Sequence, residues 1–139
     1  MTEELERLEI VSEKKIFDDF SAVVYSNNLI EIIWSPELKE VEKKHLVQLK
    51  DVIKAARKEK KMLVYFSPHP MLTMSKEALH YGGSEEAQAN TFANAVLTNS
   101  IASMLMFNFF MRINKPATPT KSFSKRGDAI AWLLKKQSL

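Results

Sequence analysis

The side chains that most often carry out chemistry in proteins are few in this sequence and far apart. Its three histidines, His45, His69 and His80, form no HxH or HxxxH pair, and there is no cysteine. A zinc site needs several nitrogen, sulfur or carboxylate ligands that converge on one point. The sequence therefore predicts no metal site and no bound cofactor.

Two short arrangements look like catalytic groups but lack the surroundings that catalysis needs. Ser67 and His69 flank Pro68, without the G-x-S-x-G turn that exposes a serine nucleophile. Asp18 and Asp19 are adjacent acids in a polar segment, whereas acid–base catalysis needs carboxyl groups whose pKa is tuned by burial. We therefore expect no catalytic residue and no enzymatic activity.

Polar residues at both ends of one very apolar segment are the candidate binding groups. The segment, IASMLMFNFFMRI at 101–113, has the composition of a helix that is apolar on nearly every side. Backbone N–H groups at the start of such a helix can hold an anion, although plain capping explains the same polar residues. The candidate anion- or ligand-binding residues at these two ends are Asn99, Ser100, Asn114, Lys115 and Lys121.

Methionine side chains offer a second way to bind a small molecule, because thioethers repack easily around an apolar ligand. The methionines that the pattern places in or near helices are Met71, Met74, Met104, Met106 and Met111. Core filling explains the same residues. The sequence is compatible with both interpretations, an adaptable ligand pocket and a plain apolar core.

Burial is the expected state of the 101–113 helix. A membrane span needs ~20 apolar residues, and this run contains Ser103 and Asn108 and is interrupted by Arg112. We therefore expect this helix to be the buried centre of the protein, with Leu105 and Phe109 in its core.

The elements that must position these residues alternate between strands and helices. The runs FSAVVYS and LIEIIWS flank Asn27-Asn28 and predict an antiparallel hairpin with strands at 20–26 and 29–35. Further strands are expected at 61–67, 94–98 and 120–124, and helices within 36–60 and at 76–82, 84–92, 100–113 and 126–137. This order predicts an α/β domain with a mostly parallel sheet of about five strands and four or five helices.

The domain is expected to occupy residues 20–139, after an N-terminal segment at 1–19. The segment contains Leu5, Leu8 and Ile10, which we expect either to cover one side of the sheet or to face a partner, since large apolar patches rarely stay exposed.

From Phe20 to Lys136 the chain resembles the STAS superfamily, the fold of bacterial anti-sigma-factor antagonists and of the cytoplasmic domains of sulfate transporters. The likeness is closest to a group of small bacterial STAS-like proteins. It is carried by IEIIW, SKEALHYGGSEEA, NAVLTNSIASMLMFNFFMRINKP, and PTKSF followed by DAIAWL. The stretch 99–121 is its most specific part.

The resemblance implies both a fold and a role. The fold would be a sheet whose parallel strands lie in sequential order, with helices mainly on one face. The role would be protein interaction without catalysis. Anti-sigma-factor antagonists carry a phosphorylatable serine at the start of their second helix, and Ser75, in TMSKEA rather than Asp-Ser-Ser-Gly, is the nearest match. Ser75 is therefore the candidate regulatory residue.

We thus expect a cytoplasmic, non-catalytic STAS-like interaction or regulatory domain, or alternatively a module that binds a small apolar or anionic ligand. The start MTEELERLEI is acidic, unlike a signal peptide. A net charge of +3, with lysines among acids, argues against nucleic-acid binding, and nothing predicts a membrane partner. Apolar residues on both faces of the strands, such as Ile32 and Ile33, predict a homodimer with the sheet side at or near its interface.

Overall fold

The computed structural model describes residues 11–116 and 118–137. The strands are β1 (Val11–Ile16), β2 (Phe20–Tyr25), β3 (Leu29–Trp34), β4 (Glu40–Val41), β5 (Met62–Ser67), β6 (Thr73–Met74), β7 (Thr91–Leu97) and β8 (Thr120–Phe123). The helices are α1 (Lys43–Ala56), α2 (Lys76–Gly82), α3 (Glu85–Gln88), α4 (Ile101–Asn114) and α5 (Arg126–Gln137). The sheet cover expected from residues 5–10 lies outside the described residues.

The main sheet has six strands in the order β1-β2-β3-β5-β7-β8. β1, β2 and β3 are antiparallel neighbours, and each later pair is parallel. Asn28 makes the tight β2–β3 turn possible by adopting a φ of 64°, which asparagine tolerates better than most residues. The predicted α/β class, the antiparallel hairpin and the mostly parallel sheet are confirmed.

One strand of the main sheet was not predicted from the sequence. β1 reads VSEKKI and, among the strands of the described ranges, pairs only with β2, so it is an edge strand of the described sheet. Charged residues are usual on edge strands because they discourage pairing with other chains. The same charges remove the apolar alternation by which a strand is recognised. The sheet consequently has six strands where about five were expected.

The two faces of the sheet are covered differently. α1 and α2 pack on what we call the first face, where Ile30, Ile32 and Val64 meet Leu49 and Ile53. α5 packs on the opposite, second face, where Leu63 and Tyr65 meet Ala129, Ile130 and Leu133. The helix expected within 36–60 is confirmed as α1, whose buried side includes Leu49, Val52 and Ile53.

The expectation that the 101–113 helix is the buried centre of the protein is wrong. α4 has no buried residue, and Leu105 and Phe109, expected in the core, are 64% and 47% exposed. Apolar residues lie on nearly every side of α4, but its neighbours cover only one side. Composition predicted the helix correctly, and its partners decided how much of it is buried.

The boundary between α3 and β7 also differs from the sequence prediction. α3 ends at Gln88 and β7 already begins at Thr91, whereas a helix to residue 92 and a strand from 94 were expected. β7 contains the polar residues Thr91 and Asn94, which hide the β-pattern. Their positions matter for the site described next.

Candidate functional site

A cavity of about 160 Å³ lies between the first face of the sheet, α1 and α4. Its floor includes Trp34, Phe66 and Val96, and α1 forms one wall with Leu46, Leu49 and Ile53. α4 lies over it with Ser103, Met106, Phe107 and Phe110. A void of this size in an apolar setting can hold a molecule such as benzene.

The cavity exists because α4 packs mainly on α2 rather than on the sheet. A Cβ added at Gly82 would lie 3.1 Å from Phe110 Cε2, and one added at Gly83 would lie 2.4 Å from Asn114 Cβ. The side-chain amide of Asn114 donates to the Leu79 carbonyl at the same contact. The two glycines therefore let α4 pack closely against the end of α2. This position leaves space between the sheet and the other inward-facing side chains of α4.

Three polar side chains of β7 and the residue after it line the otherwise apolar cavity. Thr91, Asn94 and Thr98 are only 4%, 3% and 5% exposed. Buried polar groups usually have hydrogen-bond partners, because a buried group without one costs ~1–3 kcal/mol. Within the residues that the structure describes, the hydroxyls of Thr91 and Thr98 make no side-chain hydrogen bond.

Asn94 is held by its neighbours at one end of its amide only. Its Nδ2 donates to Gln88 Oε1 at 2.8 Å and to Thr120 Oγ1 at 3.3 Å. Among the described residues, no donor reaches its Oδ1. Sequence reasoning did not single out these β7 residues. The available signal was the polar asparagine inside the apolar run ANAVL.

The outward side of α4 forms a second candidate site, which we call the α4 stripe: Ile101, Met104, Leu105 and Phe109. Ile101 and Met104 are 78% and 50% exposed. No charged side chain occurs in α4 before Arg112. An apolar surface of this kind usually marks a contact with another molecule.

The five residues proposed as an anion or ligand site do not meet in one place. Asn99 and Ser100 lie at the start of α4 and Asn114 and Lys115 at its end, about 20 Å apart at 1.5 Å per residue. Ser100 caps the helix, since its Oγ accepts from Ser103 N at 3.1 Å. Asn99 is exposed.

The remaining members of that set have local structural roles. Lys115 ends α4 in the left-handed region, with a φ of 44°. Lys121 Nζ lies 5.4 Å from the centre of the Phe123 ring.

Met74 and Met106 line the cavity, whereas Met71 is exposed on the surface. Of the methionines considered for a pocket, these two are therefore the ones that form one.

Ser75, the candidate regulatory residue, is the N-cap of α2. Its Oγ accepts from the Ala78 N–H at 3.1 Å. The hydroxyl thus satisfies one of the free amide groups at the helix start. Ser84 makes the equivalent bond to Ala87 at the start of α3.

A partly buried charged cluster lies on the second face, and sequence reasoning missed it. Glu31 accepts from Arg126 Nη1 at 2.6 Å and from the Tyr25 hydroxyl at 2.9 Å. The Arg126 guanidinium lies 5.4 Å from the centre of the Tyr65 ring. Burial raises the pKa of the Tyr65 hydroxyl, although the charge of Arg126 acts against it. The sequence signal was a single acid inside the apolar strand LIEIIW.

Two of the three histidines, His45 and His69, are held by structural hydrogen bonds, and His80 is exposed. His45 Nδ1 accepts from the Glu42 N–H at 2.8 Å, and its Nε2 lies 3.0 Å from Asp19 Oδ2. His69 bonds the Leu38 carbonyl. Across residues 11–116 and 118–137, no three His, Asp or Glu side chains come together as a metal site, and no helix in those ranges is long and apolar enough to cross a bilayer.

These features define an α/β domain with a partly polar cavity beneath an exposed apolar helix. The chain belongs to the family described as a domain of unknown function (DUF7793), whose model matches residues 23–137. The match spans the sheet from the middle of β2 onward, both candidate sites and α5. No curated protein and no solved structure matches the chain.

Proposed function

We propose that this protein is a non-catalytic module that binds a small molecule in the cavity beneath α4. The observation that carries the proposal is the set of buried polar side chains on β7, Thr91, Asn94 and Thr98, which line the cavity without filling their hydrogen bonds in the described structure. A ligand that supplies those bonds would remove their desolvation cost. Pockets with apolar walls and a few convergent polar groups are the usual form of small-molecule sites.

The absence of catalysis is part of the proposal, and the cavity lining supports it. Lys50 is the one ionisable side chain among the described lining residues. Acid–base or nucleophilic catalysis needs a positioned base or acid within hydrogen-bond reach. We further propose a cytoplasmic location, with which the lack of cysteine is compatible.

Methionine methyl groups provide the test, because two of them line the cavity and others do not. In protein with 13C-labelled methionine methyls, benzene should shift the Met74 and Met106 signals in a saturable way. Met71, which is 77% exposed and outside the lining, should not move. Unchanged Met74 and Met106 signals at millimolar benzene would contradict the proposal.

A matched pair of variants separates binding in the cavity from binding on the helix surface. Met106→Trp places a larger ring where the cavity is, and Met104→Trp places the same ring on the outward side of α4. We expect the first variant to lose benzene binding and the second to keep it. The reverse result would place the site on the surface of α4.

A second candidate function is protein contact through the α4 stripe, and the partner we propose is a second copy of this chain. The stripe has no charge with which to select a charged partner. An identical apolar stripe matches it, and two-fold pairing of one surface with itself is the commonest form of oligomer. The resemblance to STAS domains supports this role, and we retain STAS-like membership and a bacterial origin as parts of the proposal.

Two lysine substitutions distinguish this dimer from the sheet-side dimer expected from the sequence. Light scattering should give twice the 15.9 kDa of one chain. Leu105→Lys, in the α4 stripe, should yield the monomer. Ile33→Lys, on the second face where Ile33 is 38% exposed, should not. A monomeric parent protein would rule out both dimers, and dissociation by Ile33→Lys alone would favour the sheet side.

A further inference from the structure

The orientation of the Asn94 amide is fixed by hydrogen bonds around it. Gln88 Nε2 donates to the Gly82 carbonyl at 2.8 Å, so its Oε1 is the atom that faces Asn94. The Thr120 hydroxyl donates its proton to the Thr118 carbonyl at 2.9 Å, so towards Asn94 it can only accept. Both neighbours therefore require a donor, and Asn94 must present Nδ2 to them.

Among the described residues, this arrangement leaves the side-chain oxygen of Asn94, Oδ1, as an acceptor without a donor. Asn94 is 3% exposed and lines the cavity, so bulk water does not freely solvate it. A flip of the amide would not give Oδ1 a donor, because it would place this oxygen against two other acceptors, Gln88 Oε1 and Thr120 Oγ1. The cavity is thus prepared for a molecule that brings an O–H or N–H group.

The charge of the lining restricts the ligand further. Lys50 Nζ lies 3.8 Å from Glu86 and 3.9 Å from Asp51, so its charge already has acidic neighbours. An anion would have to compete with these carboxylates, and a cation would meet no acid among the described lining residues. Burial of an unpaired charge is costly, which favours an uncharged ligand.

The rest of the lining sets the size and polarity of the ligand body. The walls away from β7 are mostly aromatic, aliphatic and thioether side chains, including Trp34, Phe66, Met106 and Phe107. A volume of about 160 Å³ suits one ring or a short branched chain. An engineered cavity of about 150 Å³ in another protein binds benzene.

We propose that the cavity selects a compact, uncharged, largely apolar molecule with one hydrogen-bond donor, such as a phenol or small alcohol, whose donor binds Asn94 Oδ1. This inference rests on the proposed binding function and adds the chemical class of the ligand. Thr91 and Thr98 can bond further polar atoms of such a molecule, since each hydroxyl both donates and accepts.

Phenol and anisole test the inference without any mutation. The two share a ring and an oxygen, but anisole has a methyl group in place of the hydroxyl proton. Titrations followed at the Met74 and Met106 methyls should show phenol binding about 10-fold more tightly than anisole, the effect of one buried hydrogen bond. Equal affinities would overturn the ligand class and leave the binding function standing. Binding of neither compound, nor of benzene, would overturn both.

The variant Asn94→Leu assigns the preference to its residue. Leucine has the same number and branching of side-chain heavy atoms and no acceptor, so the preference for phenol over anisole should disappear. Benzene binding by the same variant shows that its cavity is intact. Asn99→Leu, on the exposed residue before α4, is the matched control and should keep the full preference. A preference that survives Asn94→Leu would contradict the role of Asn94.

If Asn94→Leu fails to fold, Gln88→Glu gives an independent test. A carboxylate at position 88 still accepts from Asn94 Nδ2 but can no longer donate to the Gly82 carbonyl. The Asn94 amide stays in the same orientation, so the preference for phenol should remain. If the variant loses the preference for phenol but still binds benzene, the bonds from Asn94 Nδ2 to residues 88 and 120 do not fix the orientation of the Asn94 amide.

Discussion

α4 and α5 are the two helices that flank the last strand of the sheet, and they behave in opposite ways. α4 is the more apolar in sequence, yet none of its residues is buried. α5 carries several charged residues, yet Gly127, Ala129, Ile130 and Leu133 are buried against the second face. The amount of apolar surface in a helix therefore did not determine which helix became part of the core.

Small residues explain the difference. β7 presents the small residues Ala93 and Ala95 to α5, and the small Ala129 and the larger Ile130 and Leu133 of α5 pack with them in one buried cluster. Towards α4, β7 instead presents Asn94 and Val96 across the cavity. Close packing needs matched shapes on both surfaces, and only α5 has them.

The largest predicted effect compares one substitution on the two helices. Leu133 is fully buried and Leu105 is 64% exposed. Leu133→Ala should lower the free energy of unfolding by ~2–5 kcal/mol, because it leaves a cavity in the core. Leu105→Ala should change it by less than ~0.5 kcal/mol. Urea unfolding of both variants measures the difference, and similar losses would show that α4 is as well packed as α5.

The charged cluster of the second face should give the next largest effect. Glu31→Gln keeps the shape of the side chain but removes its negative charge. Because glutamine has one side-chain oxygen, it cannot accept from both Arg126 and Tyr25 in the way that the two oxygens of Glu31 do. We expect a loss of ~1–3 kcal/mol in unfolding free energy. Glu13→Gln, on the exposed edge strand β1, is the control and should stay within ~0.5 kcal/mol of the parent.

A smaller effect is expected at Ser75, the N-cap of α2, which is the helix that α4 packs against. Ser75→Ala removes the cap on Ala78 and should cost ~1 kcal/mol, whereas Ser75→Asp keeps an acceptor there and should restore most of it. Thermal unfolding of both variants tests this. Phosphorylation of Ser75 stays a separate prediction from the resemblance, and mass spectrometry of protein from cells would detect it.

The smallest predicted effect concerns Tyr81, which belongs to α2. Burial, with the hydrogen bond to Glu86 and its charge, raises the pKa of the Tyr81 hydroxyl to about 12. An unfolded tyrosine titrates near pH ~10, so the fold favours the neutral phenol. The resulting stabilisation is present below pH ~10 and is lost as the pH rises towards about 12.

Absorbance of phenolate provides the measurement for this prediction. The difference between the titrations of the parent protein and Tyr81→Phe should show one group with a midpoint near 12. A midpoint near ~10 would mean that the contact between Tyr81 and Glu86 does not persist in solution.

Much of the fold followed from local patterns in the sequence. The alternation of LIEIIW placed Ile30, Ile32 and Trp34 on one face, and they are buried together on the first face. Capping was one of the two explanations considered for Ser100, and Ser100 does cap α4. Such features depend on residues a few positions apart, so the sequence contains their physical cause.

The candidate site was predicted only in part for the opposite reason. Met74 and Met106 were named as possible pocket residues and line the cavity. Asn94 was not named, because its significance depends on Gln88, Thr120 and their own bonds to Gly82 and Thr118. No local pattern in the sequence identifies an acceptor that is left without a donor.

By itself, then, the sequence determined the order of the longer strands and helices from β2 onward, the inward face of LIEIIW and the capping of α4 by Ser100. Only the tertiary structure decided that α4 stays exposed, that a cavity remains beneath it, and that Glu31 meets Arg126 across 95 positions of chain. Periodicity states which side chains can be buried. Burial itself needs a complementary surface, and that surface is made by residues distant in the sequence.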